Sequence, residues 1–179
     1  MASIAVNAAI LTTSGAIKVL ADDDITFDAT SSITSTSGNV TVTANADGGA
    51  GGMDGALTMA GGATINAGTG TIDLDADENI ALSSVTTTTE VQVTTSSGRI
   101  TDNTAAAEGA NITADRTALR AKTGIGLGEA ANTADLDLDV STLAAVTDSG
   151  DIHIENDGGL TMELLKHVNS SSLGLKRTR

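Results

Sequence analysis

GTIDLDADENIALS, residues 70–83, has an earlier copy in GAIKVLADDDITFDA, residues 15–29. Aligned, the two share G-x-I-x-[VL]-x-A-D-[DE]-x-I-x-[FL], and partial copies open with GNVTVTA at Gly38 and GDIHIEN at Gly150. Within the unit, Ile72 and Leu74 alternate with Thr71, Asp73 and Asp75, as Ile17 and Val19 alternate around Lys18. A period of two over four or five residues predicts a short strand with one face buried. A recurring non-helical unit points to a repeat architecture.

The predicted strand centres, Ile17, Ile25, Ile33, Val40, then Leu57, Ile65, Ile72 and Ile80, lie seven or eight residues apart within each group. Three such steps match the 23 residues from Gly15 to Gly38. Three short strands per turn with apolar faces inward describe a parallel β-solenoid, each rung hydrogen-bonded to its neighbours at about 4.8 Å. About twenty short strands, hence about seven rungs and a rod roughly 30–35 Å long, are expected. An antiparallel sandwich also has short strands and frequent turns. Its hairpins would not keep such short, regular steps, and its core would hold more aromatic residues.

Composition supports the narrow lumen. The 179 residues contain no Cys, Trp, Tyr or Pro and a single Phe, so stacked Ile, Val, Leu and Ala must fill the core. Thr, Ser, Asp, Asn and Gly suit outward positions and turns. Zero Cys excludes disulfides and thiolate metal sites. A formal net charge of −14 argues against a nucleic-acid partner or an anionic membrane surface. No apolar run approaches the ~18 residues of a membrane span, so membrane insertion is not expected. The opening MASIAVNAAILTTSG lacks the basic start of a signal peptide, which leads us to expect a module of something longer.

In chain order, residues 1–165 read as the solenoid. Residues 3–11 give an incomplete first rung. Gly-rich or acidic breaks at 44–56, 102–110 and 128–134 read as loops inserted at corners, where a solenoid tolerates them. Residues 166–179 form a separate tail that holds four of the nine basic residues and no acidic one. It reads as a cap on an open rung or as a remnant of cloning.

Several residues invite a chemical reading. Asp73 and Asp75, and Asp137 and Asp139, each face outward two residues apart, at the ~6.5–7 Å separation that paired-carboxylate chemistry uses. A solvated acidic face accounts for them more simply, and the chain has no Trp or Tyr to serve as a sugar platform. No cofactor is expected. Calcium has candidates only in Asp22, Asp23 and Asp24 and in DGGAGGMDGAL, with Asp47 and Asp54. That loop resembles the calcium nonapeptide but has one residue too many before Asp54 and occurs once. GIGLG at 124–128 lacks the context of a dinucleotide fingerprint. His153 and His167 have no partner motif. Thr41, Thr43 and Thr86–Thr89 do not repeat on every rung as an ice-binding array requires. Arg99, Arg116, Arg120 and Lys122, the basic cluster of the body, read as balancing nearby acids.

The later half carries a family resemblance. SGRITDN (97–103), NITADRTALRAKTGIGLGEAAN (111–132) and LDLDVSTLAAVTDSGDIHIENDGGLTM (136–162) follow one order. It runs G-x-I-x-D, I-T-A with L-x-A, G-I-G, then L-A-A-x-T-x-x-G-D-I-x-I-x-N-x-G-G-L. This resembles the repeats of large bacterial surface proteins of the filamentous-haemagglutinin type, over roughly residues 15–163. The resemblance implies a right-handed parallel β-helix, export to the bacterial cell surface, and a role as adhesin, stalk or effector carrier. From it we expect a non-enzymatic structural or adhesive shaft segment whose partner is a surface receptor or glycan. Two alternatives stay open: a filament subunit stacking on copies of itself end to end, and a β-helical polysaccharide lyase or hydrolase.

Overall fold

The computed structural model describes residues 2–46, 55–104, 109–127 and 135–163. They are all-β, without a helix, and coil into a parallel solenoid with three faces. Strands β1 (Ile4–Val6), β4 (Ile25–Phe27), β7 (Leu57–Met59), β10 (Ile80–Leu82) and β13 (Ile100–Asp102) stack on the first face. Single bridges at Ile125 and Ile152 continue it. The second face stacks β2 (Ala9–Thr12), β5 (Ser32–Ser35), β8 (Thr64–Asn66) and β11 (Ser84–Thr86). The third stacks β3 (Ile17–Ala21), β6 (Val40–Ala44), β9 (Ile72–Ala76) and β12 (Glu90–Thr95). Two long strands, β14 (Ile112–Ala121) and β15 (Leu136–Thr147), serve the second and third faces together. Short β16 (Ile154–Asn156) and β17 (Thr161–Met162) pair with β15 and end the described stack. Ile4, Ile25, Leu57, Ile80, Ile100, Ile125 and Ile152 thus mark seven levels, joined by about six turns.

Alternation gives these strands their register. From β3 to β12 every second residue points inward and is buried: β3 and β9 both run buried–exposed–buried–exposed–buried. The result is columns of like side chains along the axis. Ile33, Ile65, Val85, Ile112 and Leu138 form one, and Val42, Leu74, Val93 and Leu119 another; all are buried. Each fully buried aliphatic side chain contributes about 1.5–3 kcal/mol, and the columns supply the core that the composition denies to aromatics. The lone Phe27 is buried beside Val6 and Met59 on adjacent strands.

The corners use a tetrapeptide that the strand alternation does not reveal. Thr12–Gly15, Ser35–Gly38, Thr95–Gly98 and Thr147–Gly150 all read [TS]-x-S-G. In the first three, the Gly N–H donates to the leading hydroxyl, at 3.2, 2.8 and 3.0 Å. In the fourth, Thr147 Oγ1 donates to the Gly150 carbonyl at 3.1 Å. The motif closes the turn on itself and lets the next level lie close. A Cβ on Gly38 would fall 2.1 Å from the Gly15 carbonyl oxygen, and one on Gly70 2.4 Å from that of Gly38. Glycine is required along this corner because backbone faces backbone.

Rung length varies with the inserted loops. Successive positions on the first face are separated by 21, 32, 23, 20, 25 and 27 residues, and the three longest spans contain the loops expected at 44–56, 102–110 and 128–134. NITA with ALRA (111–121) and LDLDV with LAAV (136–146), each long enough for two of the short strands expected, run as single strands. The corner that should separate each pair keeps only two or three residues and no glycine, so the chain bends without leaving the ladder. In GIGL only Ile125 bridges, to Ile100 and to Ile152, and Gly124 and Gly126 adopt positive φ, 144° and 68°, on either side.

Candidate functional site

The same shortening shapes the surface. From the second-face column to the third, Ile33 to Val40 and Ile65 to Ile72 are each seven residues apart, and Val85 to Val91 is six. Ile112 to Thr117 and Leu138 to Leu143 are five, and Asn156 to Met162 is six again. A shorter corner retracts toward the axis, so the fifth and sixth levels sit back between their neighbours. The recess is an open groove of about 490 Å³. Thr87 and Thr88 line it from the fourth level, Thr113, Asp115, Asp139 and Ser141 from the next two, and Asp157, Gly158 and Gly159 from the last.

Its lower wall is fixed by the threonine run. Thr87 Oγ1 and Thr89 Oγ1 donate to the Gly70 carbonyl and Thr88 Oγ1 to that of Gly68, so these hydroxyls clasp the level below. Thr86–Thr89 is thereby a corner brace. The groove is acidic: Asp115, Asp139 and Asp157 line it from three successive levels. Such a surface suits hydroxyl-rich or cationic ligands.

The candidate residues fall in different places. Asp73 and Asp75 face outward from β9, between Thr41 and Thr43 on one side and Gln92 and Thr94 on the other. Partial burial among these neighbours raises the carboxyl pKa of Asp73. Burial raises that of Asp75 too, reinforced by the charges of Asp73 and Asp77 and opposed by the Ala76 N–H. Asp137 and Asp139 lie on the second face, Asp139 in the groove, so the two outward pairs do not form one site. Asp22–Asp24 turn the corner from β3 to β4. There Asp24 Oδ1 accepts from Ala56 N–H at 2.8 Å, and Asp23 Oδ2 from Ser3 Oγ at 3.1 Å. Asp47 and Asp54 lie outside the described residues, as do residues 47–54, 105–108 and 128–134 of the three loops, together with His167 and the tail. Among the described residues, no group of three or more His, Cys, Asp or Glu side chains is placed to hold a metal ion.

The basic cluster is spread along the third face and its exit corner. Arg116 lies 3.6 Å from Glu90 on the adjacent strand, and Lys122 2.8 Å from Asp148. His153 lies 4.0 Å from Asp151.

Sequence reasoning missed two polar residues that hold the second face in register. Asn111 is fully buried at the foot of β14. Its amide donates to the Leu82 and Ser83 carbonyls at 3.1 and 3.2 Å and to Asp102 Oδ1 at 2.6 Å, while its oxygen accepts from Asp137 N–H at 2.9 Å. It therefore ties three levels together. Asn156 does the same for the last level, accepting from Val140 N–H and donating to Val140 O. The signal was a lone Asn immediately before or within an apolar alternation, N-I-T-A and I-E-N.

The fold and groove define a class, a three-faced parallel β-solenoid of the β-helix repeat kind with an acidic corner recess. Comparison with protein-family profiles, curated proteins and solved structures gives no match.

Proposed function

We propose that this chain is a non-catalytic shaft segment of an extracellular bacterial surface protein. It holds a stiff rod and presents its corner loops and groove to a receptor or glycan. The observation that carries the reading is the mainly apolar core that runs through the stacked levels and joins the described residues into one column. The likeness of residues 15–163 to filamentous-haemagglutinin-type repeats supports the surface location. The described residues that flank the loops at 102–110 and 128–134 stand at the same corner on successive levels, between the first and second faces. The groove lies open to solvent, and the only Phe is buried, which leaves no aromatic platform for a sugar ring.

The test pairs a binding screen with a turnover assay. The labelled chain, applied to a glycan array and to cell-surface proteins, should retain a ligand, with binding reduced by substitutions at Asp139 or Asp157. The same glycans should yield no reducing ends or unsaturated products. Turnover abolished by Asp73→Asn, Asp137→Asn or Asp139→Asn would replace the shaft with a polysaccharide-cleaving enzyme.

A further inference from the structure

Among the described residues, all the exposed large apolar side chains lie at the two ends of the rod. Ile10, Leu11 and Leu20 belong to the first level, and Val146, Ile152, Leu160 and Met162 to the last two. Ile10 and Met162 occupy inward column positions at 38% and 64% exposure, where Ile33 and Leu143 on the adjacent levels are 0% and 2% exposed. The backbone follows the same division. β1, β2 and β3 pair only with the level above them, and Ile152, β16 and β17 only with the level below. Among the described residues each end is therefore an open parallel edge with apolar side chains beside it, a template for another strand.

The two edges are complementary. From Ala2 to Ala21 the first level has Lys18 as its only charged residue. From Gly150 to Glu163 the last level carries Asp151, Glu155, Asp157 and Glu163. The ladder also fixes how they would meet. Lys18 opens an outward row that continues through Thr41, Asp73, Gln92, Ala118 and Ala144. Because Met162 pairs with Leu143, Glu163 stands next in that row, and its N–H donates to the Leu143 carbonyl at 2.8 Å. One more level in the same register sets Lys18 of a following copy opposite Glu163, Ile4 opposite Ile152, and Ile17 opposite Met162.

We propose that the rod binds a second copy of itself head to tail, the first level of one chain adding to the last level of another. The contact is heterologous, so it does not close and propagates into a filament. The parallel ladder continues through each junction, with the Lys18–Glu163 pair selecting the register. This goes beyond the shaft reading, which requires only that each chain be a rod.

Sedimentation velocity of the full chain over a concentration series tests it, with circular dichroism confirming that each variant is folded. Species that lengthen with concentration are expected. Lys18→Glu and Glu163→Lys should each weaken association about tenfold, because like charges face each other across adjacent strands. The double variant Lys18→Glu/Glu163→Lys should restore it. Single rods at every concentration would overturn the proposal and leave the shaft reading intact, as would a double variant no better than the single ones. Association that begins only after residues 164–179 are removed would overturn it for the whole chain and make that segment the occupant of the last level. Compact particles in place of rods would instead overturn the shaft reading.

Discussion

Thr117 offers a substitution with an unusual sign. It stands in the third-face column between Val91 and Leu143, and is 3% exposed. Its Oγ1 is buried without a hydrogen-bond partner. The column's other early members, Ile17, Val40, Ile72 and Val91, are all β-branched hydrocarbons. Thr117→Val keeps the shape and the β-branch and replaces the stranded hydroxyl with a methyl group. Leaving a buried hydroxyl unsatisfied costs about 1–3 kcal/mol, and burying a methyl contributes up to about 0.8 kcal/mol. Allowing for local relaxation, the variant should be more stable by about 1–2 kcal/mol. For a chain of this size that raises Tm by roughly 3–6 °C. Urea and thermal unfolding followed by circular dichroism measure it. Thr95→Val is the control. Thr95 Oγ1 accepts from Gly98 N–H at 3.0 Å and donates toward the Asp77 and Glu78 carbonyls, so the same exchange there should destabilise by about 1–3 kcal/mol. If Thr117→Val is neutral or destabilising while Thr95→Val behaves as stated, the hydroxyl is not stranded and the reasoning fails.

Three further outcomes rest on the same geometry. Gly38→Ala should cost about 2–4 kcal/mol in urea unfolding, since its Cβ meets the Gly15 backbone at 2.1 Å and must push the adjoining levels apart; Gly159→Ala, with open space around it, should stay within about 0.5 kcal/mol of the parent. Asp75→Asn should be more stable than the parent at pH 7, by less than about 1 kcal/mol because solvent screens the site. A carboxyl whose folded-state pKa is raised opposes folding when ionised. The pH-dependent part of this gain should therefore shrink as pH falls through the folded-state pKa and vanish below the ordinary value of 3.8; a gain that grows in acid would contradict the raised pKa. Asp24→Ala should lose about 1 kcal/mol with its hydrogen bond to Ala56 N–H, equally in EDTA and in millimolar calcium. A loss found only with calcium would make this corner a cation site.

Alternation in the sequence placed Ile17, Ile25, Ile33, Val40, Leu57, Ile65, Ile72 and Ile80 inside, and each is buried. That much is local: a strand's two faces differ in polarity whatever it pairs with. Recurrence of the unit then required parallel stacking, and the shortage of aromatics required a narrow lumen. Even the [TS]-x-S-G corners were written in the chain, although their turn-closing hydrogen bonds were not evident from strand periodicity.

Tertiary structure alone decided what lies beside what. Rungs of 20 to 32 residues pair in a common register because apolar columns align across insertions of any length. The corner lengths take their meaning only from that alignment. A step of five from Ile112 to Thr117 signifies nothing in a linear chain, yet beside the step of seven at a lower level it recesses the corner and opens the groove around Asp115 and Asp139. In the same way Asn111 acquires its role from Leu82, Ser83 and Asp137, residues more than twenty positions away in either direction. Lys18 and Glu163 stand in one row only because five intervening residues on other strands carry the register between them. Side-chain polarity fixes the inside of this molecule strand by strand, whereas its surfaces arise from long-range stacking that no single segment encodes.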